Sequence, residues 1–204
     1  MDWDKAIPYL HPEDSRKRAE AFLADHNPEG LLPLPIEEII EFKLGINIVP
    51  LAGLQGRIHT VGFTTSDLQE INVDLDVTER FPSRFRWTLA HEVGHVLLHR
   101  QVYAEQQFRT VDEWIKWTRS IPDHIYRRFE AQANTIAAQI LIPTRALTES
   151  FEGIVAKLQS QDLDWTVAPD VVYRILGKTF GVAPISIRYA LRNEGLAEDP
   201  REDI

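Results

Sequence analysis

The segment from Trp87 to Arg100, WTLAHEVGHVLLHR, places histidines at 91, 95 and 99 and a glutamate at 92. Four residues of α-helix advance ~6 Å and turn ~40° past a full circle, so His91 and His95 share a face and can hold one ion between them. Glu92 is turned only slightly farther round. Leu89, Ala90, Val93, Val96 and Leu97 occupy the opposite arc, which leaves one polar stripe on an otherwise apolar helix. A buried helix with such a stripe must satisfy its imidazoles and carboxylate, and a metal ion does so with a single group. Residues 91–95 spell H-E-V-G-H, the HExxH pattern of zinc hydrolases, in which the glutamate is the general base. His99 lies ~12 Å along the axis from His91 and HVLLHR shows no glycine break, so on an unbroken helix the spacing argues against a three-histidine site. His99 is expected to support the site, to wall the cleft, or to end the helix.

Catalytic zinc wants three protein ligands and an open position, and two histidines with one glutamate are an established set. Downstream, FEAQANTIAAQILIP offers Glu130 near the start of a helical run. With Glu130 at zero, Asn134, Ala137, Ala138 and Leu141 fall within ~80° of it, while Gln132, Thr135 and Gln139 gather on the far side. The small residues on the Glu130 face let this helix approach the histidine helix closely, as the short reach of a glutamate requires. Asn134, one turn on, is placed to accept a hydrogen bond from a ligand imidazole and fix its tautomer.

Together, RFRWTLAHEVGHVLLH and EAQANTIAAQILIP resemble the ImmA/IrrE family of metallo-endopeptidases, whose pattern pairs TLAHELGHLLLH with a later ExxANxFAAxLLMP. The resemblance covers Gly45 to Pro143, with a looser echo toward the C-terminus. It implies an α+β, mainly helical zincin-like core with a gluzincin-like Zn²⁺ site. His91, His95 and Glu130 would be the metal ligands and Glu92 the catalytic base. Family members cleave helix-turn-helix repressors of phage, mobile-element or stress genes, so such a repressor is the expected substrate. The rival reading keeps the metal fold but only sequesters that partner. Trp87, Ile136 and Ile142 stand where Phe, Phe and Met are usual. The insertion from Gln101 to Pro122, with Trp114 and Trp117, is longer than the pattern and reads as core packing or as a lid over the cleft. The oxyanion donor that peptide hydrolysis requires is sought among Tyr126, His124 and His99.

The elements that must position these residues are legible in outline. Asp14 to His26 and Pro35 to Leu44 read as helices. INIVPL at 46–51, RIHTVGFTT at 57–65 and EINVDLD at 70–76 read as strands of a small antiparallel sheet before the HExxH helix. Helices then follow at the histidines, at Val111 to Trp117, at Asp123 to Leu141, and around Tyr173 and Tyr189. The acidic tail AEDPREDI is expected to fray. A chain of 204 residues without internal repeats suits a single domain.

With no cysteine, any metal is held by nitrogen and oxygen. The N-terminus lacks a secretory signal and no apolar run reaches the length of a membrane span, so a cytoplasmic protein without membrane contact is expected. The last helix pair, VYRILGKTFGVAPISIRYALRNEGL, resembles a helix-turn-helix, but residues 165–196 carry four cations against two carboxylates, and the whole chain has a net charge of -9. That balance favours packing on the core over reading DNA, because DNA affinity comes largely from counterion release by a basic surface. Duplex DNA titrated by fluorescence anisotropy at low salt should show no salt-steep binding, and Arg188→Ala with Arg192→Ala should leave the signal unchanged.

Overall fold

Prolines set where several helices begin. The computed structural model describes residues 1–54, 56 and 60–197. Within it, Pro12, Pro82, Pro169 and Pro184 each occupy the first turn of a helix, where the missing N–H would have no partner anyway. The chain opens with α1 (Trp3–Ala6), α2 (Pro12–His26) and α3 (Ile36–Glu38), which runs on as a π-helical turn over Ile39–Lys43. Strands β1 (Asn47–Leu51), β2 (Gly62–Thr64) and β3 (Glu70–Asp74) follow. After them come α4 (Leu75–Arg80), α5 (Pro82–Leu98), α6 (Arg100–Ala104), α7 (Val111–Thr118) and α8 (Asp123–Leu141). The last are α9 (Thr144–Gln159), α10 (Pro169–Phe180) and α11 (Pro184–Asn193). The fold is thus α+β and mainly helical, as the sequence implied.

The sheet departs from expectation in being mixed. Its order is β1-β3-β2, with β2 antiparallel and β1 parallel to β3. Residue alternation marks which segments are strands but not their direction. The connection over residues 52–69 is long enough to carry the chain back to the start of the sheet, which is what a parallel pair requires. β3 also stops earlier than its apolar pattern suggests, because the Asp74 side chain accepts from the Asp76 N–H and caps α4. Expectations for residues 57–59 and for the tail beyond Ala197 lie outside the described residues.

The sequence reading assigns nothing between Pro143 and Trp165, where the structure has α9. Leu147, Phe151, Ile154 and Leu158 recur there at helical spacing, and Leu147 and Phe151 are buried. The insertion forms α6 and α7. Trp117 stacks on Phe108 at 4.6 Å between ring centroids, and Trp114 tilts onto Phe63 at 5.6 Å. Both tryptophans are buried, so the insertion is part of the core, with Tyr103 and Trp114 also lining the cleft. The C-terminal pair is tied back by Arg86, which donates to the carbonyls of Gly181 and Leu34, and by the Arg16–Glu194 ion pair at 3.0 Å.

At the centre, α5 buries Phe85, Leu89, Val93 and Val96, each worth about 1.5–3 kcal/mol against exposure. α8 packs on α5 with one face and on α2 with another. The crossing with α5 is tightest at Gly94, where a Cβ would lie 2.7 Å from the Ala133 carbonyl oxygen and 2.9 Å from its Cα. Backbone meets backbone there, so no side chain can yield. Gly94→Ala should therefore destabilise the protein by about 1–3 kcal/mol through overpacking, although alanine is the better helix former by ~1 kcal/mol. Urea unfolding checks this, and a neutral or stabilising result would mean that the two helices are free to separate.

Candidate metal centre

One turn of α5 brings His91 and His95 onto the same face, and the crossing at Gly94 brings Glu130 of α8 opposite them. Glu130 Oε2 lies 3.2 Å from His91 Nε2, Glu130 Oε1 lies 3.6 Å from His95 Nε2, and the two Nε2 atoms are 3.1 Å apart. Ligands bound 2.0–2.2 Å from a tetrahedral zinc ion sit about 3.3–3.6 Å from one another. The three side chains therefore approximate one face of such a tetrahedron, and the cluster is able to hold a metal. They open on a cleft of about 150 Å³, lined also by Glu92, Trp87, Thr60–Phe63, Tyr103 and Trp114.

The surroundings orient these donors. His91 Nδ1 is 3.1 Å from Asn134 Oδ1, and the Trp87 indole N–H points at the same oxygen at 3.4 Å. An indole only donates, so it turns the acceptor end of the amide toward His91 and leaves His91 Nε2 for the centre. His95 stacks on Phe129 at 4.2 Å, and its Nδ1 lies 3.0 Å from His99 Nδ1. His99 is only 2% exposed. The helix does break before it, contrary to the unbroken run expected, and its backbone leaves helical values at φ -119°. The break does not make it a ligand. It turns the ring beneath His95, with Nε2 at 2.9 Å from Gln132 Oε1. On the far face of α8, Gln132 is thus engaged with His99, while Thr135 is exposed.

Glu92 is 3% exposed and accepts a hydrogen bond of 2.8 Å from the Thr64 hydroxyl on β2. Burial pushes its carboxyl up to about 6, opposed by His91 and by the Thr64 bond and reinforced by the charge of Glu130. Burial, with His91 and His99 nearby, holds His95 well below the ordinary imidazole range. At His91 burial also acts downward, but the Glu130 hydrogen bond and the two carboxylate charges outweigh it, and the net direction is up.

Among the proposed oxyanion donors, His99 has both ring nitrogens engaged beneath the site. His124 stands exposed on the first turn of α8. Tyr126 is half-buried, and burial first, then the nearby Glu130 carboxylate, hold its hydroxyl above the ordinary phenol range. Sequence reasoning missed Thr64, which sits in a strand far from either motif, and Tyr103, whose place in the cleft wall depends on the chain turning at His99. It also passed over Gly94, a wildcard of the motif.

The chain matches the family model of the IrrE N-terminal-like domain, Peptidase_M78, over residues 43–192. A search of curated proteins finds no match. The solved structure of a Mycobacterium tuberculosis transcriptional regulator is similar at a TM-score of 0.55 and 15% identity, over 98% of this chain and 60% of that one. That likeness is one of fold, with a longer protein. The family match spans most of the chain and takes in both α5 and α8, so the protein belongs to the Peptidase_M78 family, that of the IrrE N-terminal-like domain.

Proposed function

We propose that the protein is a cytoplasmic zinc-dependent endopeptidase that cuts a partner protein, most plainly a helix-turn-helix repressor. The observation that carries this reading is Glu92. It is a buried carboxylate beside three convergent metal donors, aimed by Thr64 and bordering the same cleft. A purely structural metal site has no use for an unliganded carboxylate at that place. The choice of substrate rests on the family resemblance, and a transcriptional regulator among the similar folds agrees with it. Among the described residues no helix is long and apolar enough to cross a membrane.

His91, His95 and Glu130 would hold the zinc, which when bound supplies a Lewis acid for the scissile carbonyl and for the attacking water. Glu92 takes the proton from that water and passes it to the leaving amine, work for which a carboxyl held near 6 is suited. β2 is one edge of the sheet, and residues 60–63 line the cleft. A substrate in extended conformation would pair its backbone with that edge and lie across the donors. Trp114 and Phe63 would contact its side chains. Direct DNA binding is not part of the proposal, because α10 and α11 expose Val171, Ile175, Ile185 and Tyr189 beside only four basic residues, and the net charge of the chain is -9.

Two variants separate the roles. Glu92→Gln keeps volume and hydrogen bonding but removes basicity, so cleavage of the co-expressed regulator should fall by about 10²–10⁴ while zinc content and partner affinity stay near wild type. Mass spectrometry of the fragments reads this. Equal fragmentation by wild type and variant would assign the cut to another protease, and tight binding with no fragmentation by either would favour sequestration. Glu130→Ala should instead lose zinc, measured by metal analysis of the purified protein; unchanged content and affinity would remove Glu130 from the ligand set.

A further inference from the structure

An imidazole presents a lone pair to a metal only if its proton sits on the other nitrogen, and amide side chains that might set this are nearly symmetric in shape. At His95 the ambiguity is resolved by a backbone carbonyl in the N-terminal segment. The Pro8 carbonyl can only accept, and Gln132 Nε2 lies 2.6 Å from it. The reverse orientation of the amide would set two oxygens against each other at that distance, so Nε2 donates and Oε1 faces His99 Nε2, 2.9 Å away. An amide oxygen only accepts, so His99 carries its proton on Nε2 and keeps the lone pair on Nδ1. That lone pair faces His95 Nδ1 at 3.0 Å, which must then bear the proton. His95 Nε2 is left bare, and it is the atom that lies 3.1 Å from His91 Nε2 and 3.6 Å from Glu130 Oε1.

We propose that the Pro8 carbonyl, acting through Gln132 and His99, fixes His95 in the tautomer whose Nε2 lone pair points into the metal centre, which makes Gln132 and His99 positioning residues. Three features support the relay. Both imidazoles are almost wholly buried, at 3% and 2% exposure, so water does not compete for the contacts at His95 Nδ1 and at the two nitrogens of His99. Phe129 packs on both rings at 4.2 Å and holds their planes. The start of the relay is anchored, because Arg128 donates to the Ile7 carbonyl at 2.8 Å and to Asp4 at 2.9 Å, and Ile7 is fully buried. Pro8 lies outside the family match, which begins at residue 43. A segment beyond the shared core thus sets the polarity of a donor within it.

The inference rests on His95 being a metal ligand, but its first test does not need the metal. Nitrogen-15 spectra of the metal-free protein labelled at histidine should show single tautomers, Nδ1–H for His95 and Nε2–H for His99; the reverse pattern, or a mixture, overturns the relay. Gln132→Met keeps the bulk and removes both polar ends. It should give mixed tautomers and weaken zinc binding about 10–100-fold with an unchanged circular dichroism spectrum. Gln132→Glu, with a protonated oxygen donating to the Pro8 carbonyl, still offers His99 an oxygen that accepts, so it should hold the wild-type tautomers and bind zinc much better than Gln132→Met. Wild-type tautomers and affinity in Gln132→Met, or equal losses in the two variants, would show that polarity is not transmitted along this path. Single tautomers in a wild-type protein that binds no zinc would support the relay and count against zinc as the occupant.

Discussion

Everything at the centre depends on how closely two helices cross. A glutamate side chain is short, and Glu130 reaches 3.2 Å from His91 only because α5 and α8 touch backbone to backbone at Gly94 and Ala133. One turn of α8 then does three things. Glu130 faces the imidazoles, Ala133 makes the contact that sets the distance, and Asn134 orients His91. The apolar sides of both helices lock that distance, since α8 is held from behind by α2 and α5 is anchored in the core by Leu89 and Val93. The spacing of the donors is thus a property of the core, not of the cleft surface.

Burying a polar stripe has a cost, about 1–3 kcal/mol for each donor or acceptor left unmade. The structure meets it group by group. Glu92 accepts from Thr64, His91 faces Asn134, and His95 faces His99. What these bonds do not remove is the charge of Glu130, which adds to burial in raising the cost of ionising Glu92. A divalent cation among the donors inverts that balance and favours both carboxylates in the charged form. The electrostatics therefore favour a bound cation independently of the donor spacing.

The motif positions were legible because a helix has a fixed period. His91, Glu92, His95 and Glu130 follow from counting residues around two helices, and α8 has the predicted bounds from Asp123 to Leu141. What was not legible lies across breaks in that period. The parallel pairing of β1 depends on the path of residues 52–69, which no alternation encodes. His99 looked like one more turn of a regular helix, yet the chain turns there, which carries α6 and Tyr103 into the cleft wall. Gln132 fell on the far side of α8 by helical phase, and phase alone does not say that α2 and the N-terminal segment cover that side. The motif's wildcard at Gly94 gave no chemical signal, since its role is to have no side chain.

The two imidazoles of the candidate centre face the same physical problem and meet it with mirrored solutions. Each points its second nitrogen at a polar group traceable to an amide on α8, Asn134 for His91 and Gln132, through His99, for His95. An amide alone settles nothing, because turning it over exchanges donor for acceptor with almost no change in shape. Direction has to come from a group that works one way only. At Asn134 that group is the Trp87 indole, which only donates; at Gln132 it is the Pro8 carbonyl, which only accepts. The path to His91 contains one amide and no further ring, so a donor at its head gives Nδ1–H. The path to His95 contains an amide and a ring, each of which passes the polarity on, and an acceptor at its head gives the same result. The phenylalanine usual at position 87 in the family pattern has no N–H to offer, so the His91 side of this arrangement is a feature of this chain's tryptophan.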